Sequence, residues 1–255
     1  MKRIVSAPRL LEGLTAVLLA AGLLWLSLTR VYLYYVTPRT LPFLYFGAVA
    51  LLAIGVHNFR RLFEASHVRR YTHTLALLIP LVLLAASVTQ QNLWAAPLLP
   101  SADAQYGEQA LAAEPYTMRM PVYAGRELHG YDPAQQTLTI AQEETYFWLS
   151  EIYNDPAPFL NVTVRTMGKV LKDERYFAAD GFSPTRELMT CCVADLYTVG
   201  FKCQYADTAS LAEGDWVSVT GKLAMVDLEE YQELRLIVDT VTPSAPPETP
   251  YVYSY

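Results

Sequence analysis

The chain has 255 residues, 53% of them hydrophobic, and carries 25 acidic against 19 basic side chains, for a net charge of −6. The first hundred residues hold nine Lys/Arg and two acids, whereas the remainder hold ten Lys/Arg and 23 acids. A basic apolar half followed by an acidic half excludes nucleic-acid binding by the second half, because phosphate contacts need a basic face, and three cysteines are too few for a disulfide scaffold.

In chain order, Met1-Lys2-Arg3 and Arg9 precede a charge-free run over 13–29 that is mostly Leu and Ala. About 20 apolar residues are needed to cross the hydrocarbon core of a bilayer, so the first span is expected over 10–31. A second charge-free run gives a span over 40–59. Between them, Tyr35-Val36-Thr37-Pro38-Arg39 predicts a tight turn at the membrane interface, with Tyr35, Pro38 and Arg39 at headgroup level. Arg60, Arg61, Arg69 and Arg70 follow, and then a third span is expected over 72–91, with Pro80 near its middle. The N-terminal segment and the 60–70 loop hold most of the positive charge, so the positive-inside rule puts both in the cytoplasm and delivers the rest of the chain outside. The predicted layout is a three-span membrane region over 1–92, a linker over 93–121 and an extracytoplasmic β domain over 122–255.

In that domain 137–140 reads as a short strand and 142–154 as a helix with Glu143 and Glu144 in its first turn, where acids favour the helix dipole. Asp155-Pro156 stops the helix. Five alternating strands follow, over 160–171, 182–193, 197–205, 216–225 and 234–241, the first carrying Gly168 as a bend or bulge. One helix and five strands predict a mainly β domain, a small OB-like barrel, with a five-stranded open sandwich as the alternative. The tail over 243–253 is too proline-rich for helix or strand and predicts an extended strap.

The chemistry concentrates at Cys191-Cys192 and Asp195. Adjacent strand residues face opposite ways, so one thiol is expected to point inward and one outward. A turn near 196–200 would bring Cys203 opposite position 192 or 193, making Cys192–Cys203 a candidate disulfide. Thiolates from Cys191, Cys192 and Cys203, with Asp195 or His129, form the candidate metal site, for Zn²⁺ or Cu⁺. A thiol oxidoreductase is the third reading, with Arg186 and Lys202 as the nearby basic groups. His129 is the sole histidine of the second half, and no nucleophile-elbow or phosphate-loop motif occurs, so no enzyme is expected.

The turn motif at 35–39, the 186–195 segment with its paired cysteines and Asp195, Gly200, the run from Trp216-Val217 to Gly221-Lys222 and the closing Pro250-Tyr251-Val252-Tyr253 together resemble the YcgQ-like family of bacterial membrane proteins described as permease subunits. The chain departs from the family at Leu196 to Val199, where a small residue and a proline are usual. The resemblance implies a multi-pass protein of the bacterial plasma membrane that partners a separate multi-spanning permease. A membrane-tethered metal-binding module acting without a permease is the alternative.

Overall fold

The computed structural model describes residues 6–63, 79, 80, 82, 114–228, 231–247, 249 and 251–255. The chain divides into two units, 1–97 and 98–255. The third expected span, 72–91, and the start of the linker fall almost wholly outside the described residues.

In the first unit, α1 (Ala7–Leu28) and α2 (Leu41–Arg60) occupy the two charge-free runs. Both are long and apolar enough to cross a membrane. They pack antiparallel through small residues. Gly13 lies against Phe59, Gly55 lies against Val17, and Ala16, Ala20 and Ala48 are fully buried. Small residues let two backbones approach closely where no hydrophobic driving force separates helix from lipid. The polar residues on these helices are satisfied locally: Thr15 donates to the Leu11 carbonyl at 3.0 Å and Ser27 to the Leu23 carbonyl at 2.8 Å. The outward faces carry large apolar side chains, with Phe43 and Phe46 each 75% exposed. Two short 3₁₀ turns, Val31–Tyr34 and Pro38–Thr40, join the helices. Pro38 opens the second of them, where its missing N–H costs nothing.

The second unit is mainly β. Its strands are β1 (Tyr116–Thr117), β2 (Glu127–Leu128), β3 (Tyr131–Asp132), β4 (Thr137–Thr139), β5 (Thr163–Leu171), β6 (Gly181–Met189), β7 (Tyr197–Val199), β8 (Cys203–Gln204), β9 (Trp216–Asp227), β10 (Gln232–Pro243) and β11 (Tyr251–Tyr253). β1 and β2 pair with each other, and the other nine form one sheet. Within it β5 pairs antiparallel with both β9 and β6, β6 with β8, β8 parallel with β10, and β10 antiparallel with β9. These five pairings form a circuit. Alternation along β5 and β9 puts Val164, Val217, Val219 and Leu223 into one core with Phe182, Leu236 and Cys203.

The helix α3 (Thr145–Asn154) lies over that core through Phe147, Trp148 and Ile152, spaced as one face of a helix requires. Glu151 shares the face and is 1% exposed. Its carboxylate accepts the backbone N–H groups of Arg119 at 2.9 Å and Met120 at 2.8 Å and the Tyr116 hydroxyl at 3.0 Å. Met118, ahead of position 122, is buried in the same core.

Four expected elements change on folding. The helix expected from 142 starts with a 3₁₀ turn, Gln142–Glu144, and Glu144 turns to His129, accepting its N–H at 2.8 Å. The strand expected over 182–193 stops at Met189. The strand expected over 197–205 splits at Gly200 into β7, which pairs with 186–188, and β8, which pairs with 181–182. A Cβ on Gly200 would lie 2.8 Å from the Pro184 carbonyl oxygen, so the chain crosses β6 there only because the residue has none. The tail is a strap only as far as its prolines reach. Tyr251, Val252 and Tyr253 keep their backbone donors and form β11, parallel to β6.

Candidate functional site

β6 carries the candidate site at its C-terminal end. Its last residues are flanked by β7 on one side and β11 on the other. Arg186 is buried beneath this end: its Nη2 donates to the Thr249 carbonyl at 3.1 Å, and its guanidinium lies 5.5 Å from the centre of the Trp216 ring. The residue read as a basic neighbour of the thiols instead anchors the tail. Lys202, the other basic candidate, pairs with the Glu233 carboxylate.

Beyond Met189 the backbone leaves the sheet, and Asp195 is the reason. One carboxylate oxygen accepts the N–H of Thr190 at 3.2 Å and of Cys192 at 3.3 Å; the other accepts the N–H of Cys191 at 2.7 Å. A side chain that takes three consecutive backbone donors competes directly with a strand ladder. A 3₁₀ turn, Val193–Asp195, follows, with the Asp195 N–H returning to the Cys192 carbonyl at 3.0 Å.

The two cysteines therefore do not occupy opposite faces of a strand. Their sulfurs are 3.6 Å apart, with Cys191 exposed and Cys192 half-buried. The Cys191 thiol is pushed up to about 12, chiefly by its hydrogen bond to Asp195 and next by the Cys192 sulfur. Asp195 is held below the usual carboxylate range, first by that thiol and then by the backbone N–H groups. Two thiols are thus in contact at the surface, and Cys191, held protonated, supplies little thiolate at neutral pH.

Cys203 stands apart. It is 2% exposed, sits on β8 and pairs in register with Phe182, not with position 192 or 193. Burial pushes its thiol well above the ordinary value. All three cysteines are free, so the expected Cys192–Cys203 disulfide is absent from this structure, and the β6–β8 register explains why. The same register takes Cys203 out of the expected ligand set of Cys191, Cys192, Cys203 and Asp195, and His129 is held 3.0 Å from Glu144. Among the described residues no group of three or more His, Cys, Asp and Glu is placed to hold a metal ion. Sequence reasoning missed Glu151 and the buried role of Arg186. Glu151 was detectable from its position, since it falls three residues after Trp148 on the apolar face of α3.

Residues 122–254 match the family model described as the DUF1980 C-terminal domain. No curated protein matches the chain.

Proposed function

We propose, for a chain that belongs to the DUF1980 C-terminal domain family, that it is a non-enzymatic accessory subunit of a multi-spanning permease, of the YcgQ-like type, in the bacterial plasma membrane. Its apolar helices dock in the bilayer, and the third span over 72–91 joins them. The N-terminus lies in the cytoplasm and the acidic β domain lies outside. The observation that carries the membrane reading is the outward face of the helix pair. Phe43 and Phe46 are 75% exposed, Val49 65% and Ile54 50%, on helices already packed against each other through glycine and alanine. A contiguous apolar surface of this kind is costly in water and favourable in lipid or against another membrane helix.

The β domain is of the OB type in this reading. The parallel pairing of the third and fifth strands of its circuit, β8 and β10, supports that assignment, as does the long first strand, which pairs with β9 up to Lys169 and with β6 from Lys169 on. With 23 acids against ten Lys/Arg beyond residue 100, the domain concentrates cations near the permease mouth, an effect that salt screens.

Affinity purification of the full-length tagged chain from its native membrane in mild detergent tests the role. A multi-spanning transporter is expected to co-elute in a fixed ratio and to be identified by mass spectrometry. Elution of the chain with no transport protein would contradict the proposal.

A further inference from the structure

Two adjacent cysteines in contact at a protein surface are chemically unlike two separate thiols. Strand geometry would drive them apart. Here Asp195 lifts the backbone of residues 190–192 out of the sheet and fixes it through three N–H bonds, leaving both sulfurs on one side, 3.6 Å apart. The backbone is thus set before any ligand arrives, which reduces the ordering cost of closing a ring across the pair.

The donor count argues against a structural Zn²⁺ site. Structural Zn²⁺ sites take four protein donors, but Cys203 is buried on β8 and the Asp195 carboxylate is already engaged by three backbone donors. A trivalent organoarsenical asks for no donor beyond two sulfurs. Its arsenic carries one carbon and two exchangeable oxygen bonds, so two sulfurs complete it.

We infer that Cys191 and Cys192 form a bidentate binding site for a trivalent, thiol-seeking organoarsenical group. Two As–S bonds form as the As–O bonds break, and each thiol proton leaves on the departing oxygen as water. Arsenic remains trivalent and neither sulfur is oxidised, so the step needs no oxidant or reductant. Soft, polarisable sulfur is the matching donor for such a centre. The site is independent of the permease role, since it uses only the loop at the end of β6.

The probe is phenylarsine oxide, added to the full-length chain in detergent in the presence of excess monothiol and read by intact mass. The native chain is expected to gain one phenylarsenic unit in place of two thiol hydrogens, and 2,3-dimercaptopropanol is expected to remove it. Cys191→Ser and Cys192→Ser are each expected to weaken binding by about 100-fold, the gain that tethering a second thiol supplies. Neither side chain belongs to the buried core, so neither change disturbs it. No adduct on the native chain, or an adduct that survives in either serine variant with unchanged affinity, would overturn the assignment.

Discussion

Gly168→Ala is expected to destabilise the β domain by about 3 kcal/mol or more, the upper part of the range for forcing extra volume into a packed site. The glycine lies where β5 exchanges one partner for another. It pairs with β9 through Thr163–Lys169 and with β6 through residues 169–171. A Cβ at this position would lie 2.4 Å from the Pro184 carbonyl carbon and 2.6 Å from both the Pro184 oxygen and the Thr185 nitrogen. These are backbone atoms and cannot rotate aside, so the β5–β6 crossing itself must open. Chemical denaturation of the detergent-solubilised chain, followed by tryptophan fluorescence, measures the loss. A variant with an unchanged midpoint would mean that the two strands are not in contact at Gly168.

Asp195→Asn is expected to bring the pH midpoint for alkylation of Cys191 down from about 12 toward the ordinary thiol value of 9.0. The sign follows from the order of the causes. The hydrogen bond to Asp195 is the largest contribution, and it stabilises the protonated thiol beside a carboxylate. Near pH 9 the native thiol is therefore still protonated, whereas without the carboxylate a larger fraction is thiolate. Iodoacetamide rates across the alkaline range, resolved by peptide mass, give the midpoint directly. A midpoint that does not move would mean that Asp195 does not hold the thiol.

These two residues mark where sequence reasoning reached and where it stopped. The apolar helices were legible because charge-free runs of that length have few other uses, and α1 and α2 fall within three residues of the expected spans at every end. Gly168 was legible as a singular position, because a glycine inside an alternating strand has no side chain to contribute and needs a reason. The reason itself, contact with the Pro184 backbone, depends on a partner 16 residues away and could not be read locally.

The cysteine loop departs from the expected strand for a physical reason. The sequence from Thr190 to Val193 favours extended structure by propensity, and period-two alternation was extrapolated through it. Asp195 overrides that preference by capturing three donors, a tertiary outcome that composition does not announce. The misplaced strand end then propagated. It shifted the estimated register of Cys203 by about ten residues, from opposite 192 to opposite Phe182. The tail departs in the opposite sense, because its prolines end before the Tyr251-Val252-Tyr253 triplet that pairs with β6.

We propose that the apolar helices anchor the chain in a membrane with its β domain outside. The most direct measurement places a protease-cleavable epitope after Tyr255 and adds the protease to intact spheroplasts of a bacterium that expresses the chain. An extracytoplasmic domain predicts loss of the epitope while the membrane is sealed. Protection until the membrane is lysed would contradict the account.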